Sequence, residues 1–165
     1  EWFYRDRDSF MQQLHEDITK FSAYCHKRGI KPCVRLNGTT DIRWELIPAM
    51  PHNKMNIFQE FPEVQFYDYT KIPNRKVADY PNYHLTWSYS SANPKYEELF
   101  WDVIRKGMSV AVVFRKPINM TTWRGYKVVD GDKDDLRFLD PQSSIVALYA
   151  KGAAKHDSTG FVQDI

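Results

Sequence analysis

Cysteine is scarce in this chain: Cys25 and Cys33 are the only two in 165 residues. Two thiols do not make a zinc framework. They flank an expected helix-to-strand turn, where a disulfide is conceivable; a cytosolic protein with reduced thiols is the plainer reading. No apolar run has membrane-spanning length, and no signal-peptide pattern is present, so nothing points to a membrane. An excess of one charge is missing too. Lys plus Arg is 23 against 21 for Asp plus Glu, a net +2, which gives no reason to expect a large basic face. A local patch for nucleic acid is compatible with that balance. The five histidines, His15, His26, His52, His84 and His156, are dispersed, and none pairs at the spacing of a helical zinc site. There is no GxSxG, no Walker A and no GxGxxG. Gly152 and Gly160 stand too isolated to cradle phosphate.

What is present reads as one α/β domain over 1–165, with a loose tail from about 151. Hydrophobic residues are 42% and charged residues 27%, which argues against disorder. Aromatics reach 15% and must fill a core, line a pocket or meet a partner. The chain opens EWFYRD rather than with Met, as a trimmed or processed piece would.

Phe10, Leu14, Ile18, Phe21 and Cys25 recur at spacings of three and four, which predicts a helix. Asp6 or Asp8 can cap it, and Gly29 can stop it. Residues 30–36 predict a short strand, 37–41 a turn and 42–46 a short helix. Asn53 is placed to cap a helix over 54–61, which Pro62 stops. Strands are expected at 64–69, 83–89, 110–114, 126–129 and 145–149. A helix from Pro94 to Lys106, ended by Gly107, presents Leu99, Phe100, Val103 and Ile104 inward. Helices alternating with buried strands imply a mostly parallel sheet of roughly six strands with helices outside. An open or partial (β/α) barrel fits as well as a flat doubly wound sheet.

Parallel strands end on one edge, where sites are built. The first strand offers Arg35, Asn37 and Asp41 there, the second Asp68 and Lys71, and the third Thr86 and Ser88. The last strands offer Asp130, Asp132, Arg137 and Lys151. Mixed acids, Arg and Lys suit a charged small molecule or phosphate. Polar loops end strands in any fold, so the convergence of these side chains is the discriminating observation. The stretch VVDGDKDDLRFLDP opens like a calcium loop with Asp130, Asp132 and Asp134. Asp135 then stands where Gly is needed and Pro141 where Glu is needed, so the EF-hand pattern fails. A solvated turn with Arg137 or Lys133 as partner is the plainer reading, and a Mg²⁺ on one or two of these acids the sharper one.

VRLNGTTDIRWE, FPEVQFYDYTKIPNR, NYHLTWSYS, GMSVAVVF and VVDGDKDDLRFLDP, in this order, resemble the gene product 88 type of bacteriophage and prophage proteins. The likeness runs from WFYRDRDSF to KGAAKHDSTGFV. It implies a location in the cytoplasm of a bacterial host. Members of that family typically carry a further N-terminal segment of closely spaced cysteines that looks like an iron–sulfur ligand set. This chain starts just after that segment's place, so the resemblance implies a cluster only with an upstream cysteine segment. The strand-end pattern is distantly similar to a radical-SAM half-barrel, which is analogy at the level of fold.

Two functions follow as expectations. One is an enzyme-type domain binding a small-molecule or nucleotide-like ligand. In it Asp68, Lys71 and Asp41 do acid–base or charge work, and Arg35, Asn37, Thr86, Ser88, Asp130, Asp132, Arg137 and Lys151 bind. The alternative is a non-catalytic phage protein that binds a host protein or nucleic acid through an exposed aromatic or basic patch.

Overall fold

The computed structural model describes every residue except Asn53, Ile118 and Ile165. The described residues form an eight-stranded, mostly parallel α/β sheet in the order β1-β2-β3-β4-β7-β6-β5, with β8 also paired to β4. The sheet is not closed into a barrel. Two compact units divide the chain. The first holds Glu1–Tyr67 and Arg75–His84, and the second Asp68–Asn74 and Leu85–Ile165.

In the first unit, α1 is a single turn, Trp2–Arg5, and α2 spans Arg7–Lys27. Asp6 caps α2 by accepting from the Ser9 amide at 3.1 Å, so one orphan donor of the first turn is satisfied. Gly29, at φ +64°, ends it, a conformation that costs other residues a Cβ clash. The buried stripe is Met11, Ile18 and Cys25. It is rotated from the expected one: Phe10 and Leu14 are only half-buried, and Phe21 is exposed. Phe10 instead meets Phe3 and Trp2 edge-on.

β1 is only Cys33–Val34, paired in parallel with Gln65 and Phe66 of β2, Gln65–Thr70. It is far shorter than the predicted 30–36. Its pairing with β2 covers Cys33 and Val34, and the chain beyond Leu36 folds into a turn held by the Asn37 side chain. The expected helix over 42–46 is a 3₁₀ turn, Trp44–Leu46, with no side-chain cap. α3 is Ile57–Glu60 and closes a capping box: Asn56 accepts from the Phe58 and Gln59 amides, and Gln59 accepts from the Asn56 amide. Asn53, the expected cap, lies outside the described residues.

The second unit is built on β4, Ser109–Phe114, whose central residues are buried on both faces. β3, Tyr83–Ser88, pairs with Ser109–Ala111, and β7, Ile145–Tyr149, pairs with β4 from Val110 to Phe114. β8, Val162–Gln163, pairs with Val113 and Phe114. Since β7 occupies one edge of β4 along its whole length, β3 and β8 share the other. β8 takes over where β3 leaves. Residues 152–163, within the tail expected to be loose from about 151, thus contain a 3₁₀ turn, Gly152–His156, and this strand. β5, Thr122–Trp123, and β6, Tyr126–Asp130, form an antiparallel hairpin, and β6 runs parallel to β7.

α4, Lys95–Arg105, starts after Pro94, and Gly107 at φ +98° stops it. Phe100, Val103 and Ile104 pack on Trp87, Tyr89, Val110, Val112, Phe114, Ile145 and Ala147. Burying one such Phe contributes about 2 kcal/mol. Alternation along the strands puts Thr86, Ser88, Ala111, Val113, Val146 and Leu148 on the opposite face.

Candidate functional site

The expected site residues of the first unit hold its loops. Asn37 is 2% exposed. Its Oδ1 accepts from the Thr40 hydroxyl, the Ile42 amide and the Trp44 indole at 2.9–3.0 Å, and its Nδ2 donates to the Ile42 carbonyl. One amide therefore shapes the 37–44 turn. Arg35 is exposed just after β1. Asp41 Oδ1 accepts from Arg75 at 3.3 Å.

Arg75 and Glu45 were not singled out in the sequence and form the most buried ion pair among the described residues of this unit. Arg75 donates from Nε and Nη2 to the two Glu45 oxygens at 2.7 and 2.6 Å, and from Nη2 to the Tyr83 hydroxyl at 3.1 Å. Burial works against the Arg75 charge, but the hydrogen bonds and charge interactions of Glu45 and Tyr83 together outweigh it and raise its pKa.

In the second unit the parallel strands β3, β4, β6 and β7 end on a common edge. β6 ends at Asp130, whose Oδ1 accepts from the Asp132 amide at 3.0 Å. Asp132 bridges to the end of β7: it accepts from the Tyr149 amide at 3.0 Å and from Lys151 Nζ at 2.7 Å. The structure thus brings Asp130, Asp132 and Lys151 together. Gly131, between the two acids, packs on β7. A Cβ there would lie 2.6 Å from Val146 Cγ1 and 2.9 Å from the Ala147 oxygen. At the end of β4, Arg115 gathers the C-terminal segment. It donates to Asp164 and to the carbonyls of Lys155 and Asp157, the last two at 2.8 Å.

Lys71 is exposed after β2, with Nζ 5.5 Å from the centre of the Phe161 ring. Asp68, within β2, is 1% exposed, a deeply buried carboxylate. Thr86 and Ser88 share the sheet face opposite α4; Ser88 is half-buried, and Thr86 is fully buried with no hydrogen-bond partner for Oγ1.

Arg137 belongs to the crossover from β6 to β7 and is 1% exposed. Its Nη2 donates to the Asp134 carbonyl at 2.6 Å. Nη1 lies 3.4 Å from Asp140 Oδ2, an ion pair without hydrogen-bond alignment. Nε has no acceptor. Burial pushes the Asp140 carboxyl up, although Arg137 pulls the other way.

A further cluster lies beside α4. Arg124, at φ +50° in the β5–β6 turn, donates to both Glu97 oxygens at 2.7 and 2.8 Å. Its guanidinium stands 4.3 Å from the Trp123 ring centre and 4.9 Å from that of Phe100. Burial would raise the Glu97 carboxyl, but hydrogen bonds from Arg124 and Tyr89 outweigh it and hold it below its ordinary value.

Among the described residues no three His, Cys, Asp or Glu side chains are grouped so as to hold a metal ion. Cys25 and Cys33 are free thiols, and burial pushes the Cys33 thiol up, which keeps it protonated. Two thiols do not fit an iron–sulfur cluster. No described helix is long and apolar enough to cross a membrane.

No curated protein and no solved structure matches the chain. A family model described as Gene product 88 matches residues 1–165. The match covers the whole α/β architecture laid out above, with the long strings 34–45, 61–75 and 128–141 inside it, and the chain belongs to the Gene product 88 family.

Proposed function

We propose that the chain is the ligand-binding part of a phage α/β protein, and that it takes a small molecule carrying a carboxylate or phosphate. One observation carries this reading: a guanidinium that is 1% exposed, that of Arg137, has its Nε without an acceptor and Nη1 only loosely matched to Asp140. An unmet buried donor costs about 1–3 kcal/mol, and a planar oxyanion is the partner whose geometry suits Nε and Nη1 together. The orphaned Thr86 hydroxyl is a second group with spare hydrogen-bonding capacity in the same unit. In this reading Lys151 adds positive charge, Asp130 and Asp132 receive ligand hydroxyls, Ser88 lines the approach, and Asp68 and Lys71 supply acid–base or charge stabilisation. The partial (β/α) barrel expected from the sequence, and its distant likeness to a radical-SAM half-barrel, belong to this proposal as its architecture.

The test is calorimetry and thermal denaturation with inorganic phosphate, a dicarboxylate and a nucleoside monophosphate, each against sodium chloride of equal ionic strength. The expected result is saturable stabilisation by at least one of them, weakened about tenfold or more in Arg137→Lys and in Thr86→Val. Thr86→Val keeps volume and shape, so its readout survives if the Arg137 variant fails to fold. Wild-type protein that responds to none of the three beyond the salt control overturns the reading.

A further inference from the structure

The second half of α2 and the turn after it concentrate positive charge. From Ile18 to Thr40 the chain contains Lys20, Lys27, Arg28, Lys31 and Arg35 and no Asp or Glu. The whole chain, by contrast, is nearly neutral at +2. Helical geometry turns this run into a surface. Ile18 and Cys25 face the interior. Lys20, Tyr24 and Lys27 follow at i, i+4 and i+7 on the other side, and Phe21, Tyr24 and Arg28 at i, i+3 and i+7 beside them. Every one of these five side chains is exposed, as are Ile30 and Lys31. Phe21 and Tyr24 are 38% and 49% exposed, high for aromatics whose helix has a buried face available.

The Arg28 guanidinium lies 3.9 Å from the centre of the Tyr24 ring. That stack holds a flat cation and an aromatic face in register at the surface. Three acids border the patch and set its limits. Glu16 makes a long 3.5 Å ion pair with Lys20, Asp17, one turn before Phe21, accepts from Gln13 at 2.8 Å, and Glu63 accepts from Ser22 at 3.2 Å. None of them is paired with Lys27, Arg28 or Lys31 in those contacts.

A solvated helix face can be built from polar and charged groups alone, and here two half-exposed rings are set among the cations. Rings alternating with cations match a ligand that alternates flat bases with phosphates. We infer that the Lys20–Lys31 face of α2 is a docking surface for a single strand of nucleic acid, with bases stacking on Tyr24 and Phe21 and phosphates meeting Lys20, Lys27, Arg28 and Lys31. This does not depend on the ligand reading given for Arg137, because the residues and the unit differ.

The experiment is fluorescence anisotropy of the full chain with a labelled oligothymidylate of about 20 nucleotides. Four phosphate contacts on a single strand give a log–log salt slope near −3, so affinity should fall about fiftyfold between about 50 and about 200 mM salt. Lys27→Glu with Arg28→Glu should weaken binding by at least about tenfold, and Tyr24→Ala by about five- to a hundredfold through lost stacking. All three positions are exposed, so circular dichroism should show an unchanged fold. Charge reversal at Lys95 and Lys116, equally exposed in the second unit, should leave affinity within about twofold. Absence of binding at low salt, a flat salt response, or equal loss from the two reversed pairs overturns the inference. So does polyglutamate binding as tightly and with the same dependence on Tyr24, which would mark the face as a site for acidic polypeptide.

Discussion

Arg75 holds Glu45 through two parallel hydrogen bonds of 2.7 and 2.6 Å, with side-chain exposures of 0% and 3%. Thirty residues apart in sequence, the two tie the 3₁₀ turn at Trp44–Leu46 to the segment before β3. Deleting one member leaves a buried charge without compensation. Glu45→Gln is therefore expected to destabilise the protein by about 3 kcal/mol, and Arg75→Met by a similar amount. The double variant should lose less than the sum of the two, because neither charge then remains. Urea denaturation of all four proteins gives the coupling; strict additivity would show that the pair does not act as a unit.

What the sequence disclosed depended on how local each signal was. α2 announced itself through Asp6, Gly29 and its apolar period, yet the stripe of spacing three and four pointed at Phe21, whereas the buried side runs Met11–Ile18–Cys25. The helix offers apolar groups on both sides, and only its packing partners choose between them. β4 was plain from VAVVF, since burial on both faces leaves an unbroken apolar run. β8 was nearly silent, because two residues become a strand only where β3 leaves the edge of β4 free. Asn37 was read as a ligand group from its place at a strand end; its amide makes four bonds within 37–44. Asp132 and Lys151 were each named as strand-end groups, and their mutual contact follows from β6 and β7 being neighbours, an order that sequence adjacency does not reveal.

Thr86 offers a test of stability against function. Its hydroxyl is buried and unbonded, so folding removes it from water without compensation. Thr86→Val keeps the shape and removes the polar atom, and should stabilise the protein by about 1 kcal/mol. Chemical denaturation measures this directly. A loss of stability instead would mean that the hydroxyl is satisfied in solution by bound water.

Gly131 should not tolerate a side chain. The approach to Val146 Cγ1 at 2.6 Å could be relieved by a rotamer change, but the Ala147 oxygen at 2.9 Å is backbone within β7. Gly131→Ala is expected to cost about 1–3 kcal/mol. Gly38→Ala is the matched control: a Cβ there meets nothing within 4 Å. It should fall within about 0.5 kcal/mol of wild type. Equal stability of the two variants, read by thermal unfolding, would show that β6 and β7 can part at this point.

Arg124 separates backbone strain from side-chain contacts. At φ +50° its backbone favours glycine, while its guanidinium binds Glu97 and stacks on Trp123. Arg124→Ala loses the contacts and keeps the strain; Arg124→Gly loses the contacts and relieves it. The alanine variant should therefore be the less stable by about 1 kcal/mol. Urea midpoints of the two proteins decide it, and a more stable alanine variant would mean that the turn relaxes out of the left-handed region.

The C-terminal strand should loosen in acid. The Val162 amide and the Thr159 hydroxyl hold the Asp157 carboxyl below its ordinary value, and Arg115 does the same for Asp164. A carboxylate whose folded pKa is depressed adds stability above its unfolded pKa and loses it as pH falls through the folded one. The unfolded value for both is 3.8, so docking of β8 should be intact above that pH and weaken progressively below it. Asp164 is exposed and Asp157 only half-buried, so the effect is local rather than global. Hydrogen-exchange protection of the Val162 amide, which donates to Asp157 at 3.0 Å, should fall in this range while β4 and β7 amides keep theirs. Asp157→Asn should show reduced Val162 protection already at neutral pH and little further change on acidification. Equal acid sensitivity in that variant and the wild type would show that Asp157 is not the group that titrates.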